Sequence, residues 1–411
     1  MFKSHNPLFL FILSLLFSSL SLQVSAQYKI PVSGIVISLD KSEPVDGAAI
    51  SWNYKGVGSI TNSDGKFVIL LSPPFNNQDS LIFSCIGYKP TAIGIKDAVS
   101  NPNLTIRLQA AIENLKEVTI RPLTIKQLLD SINRHNYNAF VSPMKLSGYY
   151  REFVYTNLKC NEYADALCQY YFNNGKDSET QLKINASRCI TGKKNNGDAK
   201  NAEFYWDSEV NPVLAFKYAL LSEMIKKYFP DKALPGYKYE IAQAAESSDD
   251  LKITISPKDS TGVAIYDLVF LLTGDFTLKA YHLEIPDSIL LHMKEQSLLG
   301  VHVKNGKLII NVKYASFNGR IYPAYYSIIR GEHVYGKVMS TRFDQVDENK
   351  SEFVVSELGK TDDLQPFVRD ELYKKGNICD NGAAINNEML KNYTIIKPSA
   401  IDSIAIKSIT Q

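Results

Sequence analysis

The chain is short of net charge. Its 411 residues carry 45 Lys and Arg against 43 Asp and Glu, a net +2. Nucleic acid is held by excess cations, so this balance argues against such a partner. No basic stripe with interleaved aromatics makes up for it, since Lys193-Lys194 and the run MIKKYF read as solvated faces. Cysteine is scarce: five, at 85, 160, 168, 189 and 379, an odd number in a chain too large to need a disulfide scaffold. Cys160 and Cys168 could meet across a loop, but spacing assigns no pair. Of the histidines, His135, His282, His292, His302 and His333 stand at no convincing metal-ligand interval. HExxH, GxSxG and a glycine-rich phosphate loop before a helix are all missing. These absences leave no catalytic residue, no metal site and no cofactor to nominate. Past residue 26 no apolar run is long enough for a membrane helix; VAIYDLVFLL and SLLGVHV stop short. Barrel strands are too short for that test, but helical stretches after residue 120 argue against an integral barrel.

What is present begins at the N-terminus. Residues 1–26 hold one Lys, an apolar serine-interrupted stretch and Val24-Ser25-Ala26, the pattern of a secretory signal peptide cut after Ala26. No Cys stands at the cut, which argues against a lipid anchor. The expectation is an exported chain, periplasmic or associated with an outer membrane. The 24 Tyr and 19 Phe favour strands over helices.

Residues 28–109 read as about seven short strands, hence a Greek-key β-sandwich. In SITNSDGKFVILL, Asn62, Asp64 and Gly65 form a polar turn before an apolar strand, read as a structural hairpin with Gly65 free to take positive φ. Calcium is the functional alternative; one carboxylate and no loop-closing Glu make it the weaker reading. GIVISLDKSEPVDGAAISW, TNSDGKFVI and IGYKP together resemble the carboxypeptidase-regulatory-like domain, a transthyretin-like sandwich. The matching places are Gly34 and Val36, Pro44 with Gly47 and Ala48, Thr61 to Phe67, and Ile86 to Tyr88. The resemblance implies an accessory domain, as in secreted envelope proteins of Bacteroidetes-like bacteria, and no peptidase activity.

Residues 110–139 read as a connector: an extended LKEVTIR, then a helix with Thr124 as cap and Gln127 as its box partner. Arg151 and Glu152 in SGYYREF point to opposite strand faces, one toward the core edge and one toward water. Residues 140–360 read as a curved antiparallel sheet of seven or more strands with one packed helix over 212–229. On that helix Leu214, Leu221 and Ile225 are candidate ligand-facing residues. KNGK and FNGR read as hairpin turns. Residues 361–411 read as a tail of short helices and an extended NYTIIKP that docks back on the body. DFTLKAYHLEI and KLIINVKYASFNGRIYPAYYSI loosely resemble lipoprotein-carrier-like half-barrels through Gly319, Tyr322 and Pro323, which implies a concavity able to shelter acyl chains.

The fold expectation is mainly β with a few helices: the seven-stranded sandwich, then the curved sheet with its helix. The first functional expectation is a non-catalytic cell-envelope module that binds or assembles with an envelope protein or polysaccharide. The second is a carrier of lipid or another hydrophobic ligand, which predicts an open apolar cavity beside helix 212–229. The third is a hydrolase of unknown class, for which spacing supplies no nucleophile pair. Oligomeric state is not legible.

Overall fold

Seven strands between residues 30 and 108 divide between two sheets: β1 (Ile30–Ser38), β2 (Ala49–Trp52), β3 (Gly58–Ile60), β4 (Lys66–Leu71), β5 (Ser80–Ser84), β6 (Thr91–Gly94) and β7 (Asn103–Leu108). The computed structural model describes residues 29–410 except 53–57, 102, 112–122, 141, 174–178, 193–210, 245–248, 261, 339–340, 360–363 and 375–377. The expected signal peptide, residues 1–26, and LKEVTIR therefore lie outside the described residues. One sheet has the order β4-β1-β7, with β1 and β7 parallel; the other runs β3-β2-β5-β6. Alternate residues such as Val32, Phe67, Ile69, Leu81, Phe83 and Leu104 face inward and make a dry core, with helix α1 (Ile95–Ser100) closing one side through Ile95 and Ala98.

The Asn62–Gly65 turn is not a hairpin of one sheet. β3 pairs with β2 and β4 pairs with β1, so the turn carries the chain across the sandwich. Asn62 Oδ1 accepts from the N–H of Asp64 (3.0 Å) and of Lys66 (2.9 Å), and Gly65 takes φ +72°. A Cβ at Gly65 would collide with the Val36 carbonyl oxygen.

The second part is a twelve-stranded sheet. Its strands are β8 (Met144–Thr156), β9 (Lys159–Asn173), β10 (Glu179–Thr191), β11 (Tyr237–Gln243), β12 (Leu251–Pro257), β13 (Asp267–Leu272), β14 (Leu278–Glu284), β15 (Gln296–Leu298), β16 (Val301–Phe317), β17 (Arg320–Val338), β18 (Thr341–Leu358) and β19 (Ala383–Ala384). The order is β11-β12-β13-β14-β16-β17-β18-β8-β9-β10-β19, with β15 beside β16 and β19 parallel to β10. KNGK does not turn: Lys304 to Lys307 run on inside β16, with a bulge between Asn305 and Leu308. The segments flanking Asn-Gly pair with β17 rather than with each other. The turn falls instead at Asn318–Gly319, both at positive φ. Pro323 sits at a second bulge, opposite Tyr314, the kind of place where sheets tolerate proline.

Helix α2 (Ile125–Ala139) has the expected capping box between Thr124 and Gln127. The expected single helix over 212–229 is two, α3 (Pro212–Tyr218) and α4 (Leu221–Tyr228), because Leu220 is extended at φ −92°, ψ 120°. Short α5 (Asp287–Leu290) and α6 (Asn387–Leu390) and the longer α7 (Ala400–Ile409) complete the set. The sheet wraps α2, α3 and α4 on its inner face, in one apolar cluster with Leu128, Ile132, Phe216 and Met224. Its outer face carries β3 of the sandwich and the segment after residue 378.

Candidate functional site

The concavity is where the alternative carrier expectation places a ligand, and helices and aromatic side chains pack into it. Tyr170, Phe216, Tyr326 and Phe353 stack and cross at ring-centroid distances of 4.3 to 6.4 Å. Tyrosine hydroxyls then hold both ends of α3, two of them at the break before α4. Tyr281 donates to the Tyr218 carbonyl, Tyr314 to that of Ala219 (2.7 Å), and Tyr170 to that of Pro212 (2.9 Å). Carbonyls freed at a helix end need partners when buried, and the sheet supplies them. Leu221 is buried and Ile225 half-buried in this packing, whereas Leu214 faces out, 45% exposed. The gap beside Leu220, Leu221 and Phe140 amounts to about 10 Å³, below what a lipid chain needs.

The outer face holds a buried ionic network that local spacing does not reveal. Arg151 is 1% exposed, so it does not face water, and Glu152 on the other face is buried too, accepting from Tyr150 Oη at 2.7 Å. Arg151 meets Glu352 through Nε (2.8 Å) and Nη2 (2.7 Å), and Asp402 of α7 through Nη1 (3.2 Å). Tyr325 donates to Glu352 (2.9 Å) and Lys350 stands 3.3 Å away. Burial would raise the Glu352 carboxyl, but Arg151, Lys350 and the Tyr325 hydrogen bond outweigh it and hold it at about 2. Next along β9, Asp165 receives Arg188 (3.0 and 2.5 Å), Tyr149 (3.0 Å) and Tyr163 (3.1 Å). Every carboxylate here is spent on a fixed cation or hydroxyl.

The same face shows what the Asn62 turn does. Asn62 Nδ2 donates to the Lys397 carbonyl (3.0 Å), and Asp64 Oδ2 accepts the Ala400 N–H (3.0 Å) at the first turn of α7. The sandwich corner thus holds a strap that runs from residue 378 to α7. Thr394 N–H donates to Ser356 Oγ (2.9 Å), Ser187 Oγ donates to the Asn381 carbonyl (2.7 Å), and a Cys189–Cys379 disulfide fixes the start. Neither Cys160 nor Cys168 is in a disulfide; burial pushes the Cys160 thiol up to about 11 and the Cys168 thiol further up. His282 lies 3.4 Å from Glu284 and 2.7 Å from Asn311, while the Cys160 thiol donates to the Glu162 carbonyl (3.5 Å). His292 and Glu295 have a His-x-x-Glu spacing, but His292 faces the Ser288 carbonyl while Glu295 takes His302 and Tyr335. Among the described residues no group of three or more His, Cys, Asp or Glu could hold a metal ion.

A surface groove of about 480 Å³ lies between the β8–β9 turn and α7, lined by Tyr155, Leu158, Lys159, Ile401 and Ile404. No helix among the described residues is long and apolar enough to cross a membrane.

Residues 32–120 match the profile of the CarboxypepD_reg-like domain. This agrees with the resemblance of the first region. No curated protein matches. Among solved structures the chain is weakly similar to a DUF1329 family protein from Desulfovibrio piger ATCC 29098, at 9% identity over 59% of this chain and 96% of that one, TM-score 0.24. It is similarly close to lipovitellin (8%, 58% and 27%, TM-score 0.25) and to a LolA superfamily protein from Nitrosomonas europaea (9%, 62% and 99%, TM-score 0.20). TM-scores this low establish no shared function.

Proposed function

We propose that this chain, with its CarboxypepD_reg-like sandwich, is an exported, non-catalytic module of the cell envelope that binds or assembles with other envelope components. The observation that carries the reading is that both faces of the large sheet are already occupied. Helices and tyrosines fill the inside, and sandwich and strap cover the outside. What is left for partners is the rims. The Cys189–Cys379 link favours an oxidising compartment, as the N-terminal leader does. Buried thiols held protonated and carboxylates spent on ion pairs supply no poised nucleophile or base. The carrier reading would require α3 and α4 to leave the tyrosines that hold them.

Fractionation with thiol counting tests this. The expected result is a mature chain beginning at Gln27, recovered with periplasm or outer membrane, with three alkylatable cysteines after denaturation and five after reduction. Native mass spectrometry of the same material should show no bound lipid. A fully reduced cytosolic chain with residues 1–26 attached would overturn the envelope reading, and a stoichiometric acyl ligand would favour the carrier.

A further inference from the structure

One sheet of the sandwich ends on β7, on the side away from the large sheet. β3 and β4 are neighbours on the near side, where β3 lies against β17 and β18. β6 and β7 stand on the far side. β7 runs parallel to β1 without a bulge. Its residues alternate between exposed Asn103, Thr105 and Arg107 and buried Leu104, Ile106 and Leu108.

A single bond sets the phase of its backbone. Leu39 N–H donates to the Leu108 carbonyl (2.8 Å), so Leu108 turns its polar groups toward β1. Those groups alternate in direction along a strand, so Leu104 and Ile106 turn the same way. Asn103, Thr105 and Arg107 turn theirs to the other edge. At Gln109 that edge is taken, since its carbonyl accepts the Lys89 N–H (2.8 Å). From Asn103 to Arg107 nothing among the described residues pairs with it. Exposed edges are ordinarily blunted by a bulge, a proline, several charges or a covering segment. This stretch has one charge, Arg107, and none of the others among the described residues. An unpaired extended backbone is complementary to another extended backbone.

The symmetry of the stretch selects which one. Its three outward residues are centred on Thr105. A two-fold axis at that point sets Thr105 opposite Thr105 of a second copy, and Asn103 opposite its Arg107. Each pair then exchanges N–H···O bonds both ways. Every free group is used, and the pairing stops where Lys89 begins. The side chains agree with it. Threonine opposite threonine is a favourable cross-strand pair, each guanidinium meets an amide that can accept from it, and the two arginines stay apart. Ser33, Ile35 and Ile37, the neighbours of these residues on β1, bring no charge of either sign. We propose that two copies of this chain pair antiparallel through β7, joining their three-stranded sheets into one. One short strand from each copy makes a small interface, so the dimer is reversible. The pairing does not depend on where the chain resides.

Sedimentation velocity of the mature chain at rising concentration, combined with residue-level hydrogen exchange, tests it. The dimer fraction should rise with concentration. The Thr105 and Arg107 amides should exchange about tenfold or more slowly in the dimer than in the monomer, while those of Leu104 and Ile106, bonded to β1 in both, should not change. Asn103→Lys sets an ammonium opposite Arg107 twice per dimer and should weaken association about tenfold. Adding Arg107→Glu turns both contacts into opposite-charge pairs and should restore it. Both side chains are exposed, so circular dichroism should be the same for all three chains. The proposal fails if the chain stays monomeric throughout. It fails if a dimer ignores Asn103→Lys, or is not recovered by the second change. Slow exchange of Thr105 and Arg107 in the monomer would show the edge already covered, and would overturn it as well.

Discussion

Arg151 shows how much one side chain can hold. It is fully buried between two carboxylates from strands and helices far apart in sequence, Glu352 and Asp402. Removing it strands both acids out of water, so Arg151→Ala should cost about 3–5 kcal/mol, read by urea denaturation. Replacing the three groups together with apolar residues should cost much less. Glu352 gives the pH counterpart. Its carboxyl is held at about 2 in the fold against an ordinary 4.5. A depressed folded value means the stabilisation is whole above the unfolded value and fades as pH falls from about 4.5 toward 2. Stability measured across that window should drop by on the order of 3 kcal/mol in the native chain and by less in Glu352→Gln. In the sequence, Arg151 and Glu152 look like an alternating strand pair, one in and one out. The error is physical: alternation tells faces apart but does not tell that both faces are covered.

At the scale of elements, strands were the legible part, because the period-two pattern and turn chemistry are local. The seven sandwich strands and the Thr124–Gln127 cap needed nothing beyond neighbouring residues. The break between α3 and α4 was not legible, since 212–229 keeps a helical pattern throughout. What breaks it is distant: hydroxyls of Tyr281 and Tyr314 offer partners for carbonyls that a continuous helix would have used itself. Tyr314→Phe should therefore cost about 1–2 kcal/mol in thermal melts, more than its lost surface explains, by leaving the Ala219 carbonyl buried and unpaired. KNGK shows the converse. Asn-Gly permits a turn, but long-range pairing with β17 decides whether one forms. The candidate residues Leu214, Leu221 and Ile225 fall on three different exposures for the same reason, since the helix they were placed on is not one helix. The groove was missed because its walls come from residues 155–160 and 401–408, which no local window joins.

For the whole molecule the strap matters most. It touches the sandwich at Asn62 and Asp64, crosses the sheet at Ser356 and Arg151, and is fixed to β10 by the disulfide. Sandwich and sheet should consequently melt in one transition. Asn62→Ala with Asp64→Ala should split it into two steps in calorimetry, each local fold surviving, whereas a single unchanged transition would show that the β3 contact suffices alone. Opening the Cys189–Cys379 loop with Cys379→Ser should lower stability by about 2–4 kcal/mol without changing strand content by circular dichroism.

A ribosome makes residue 402 some 250 residues after residue 151. Until then the guanidinium at the centre of the sheet has half of its counter-charge, and the outer surface of β8 and β9 is covered only where β3 of the sandwich reaches it. A chain delivered across a membrane in N-to-C order would reach its finished state only when this late segment arrives and closes over the rest. A chain cut short before this segment would keep Glu352 on Arg151 but lack Asp402, and would leave the part of the sheet that the strap covers open to water.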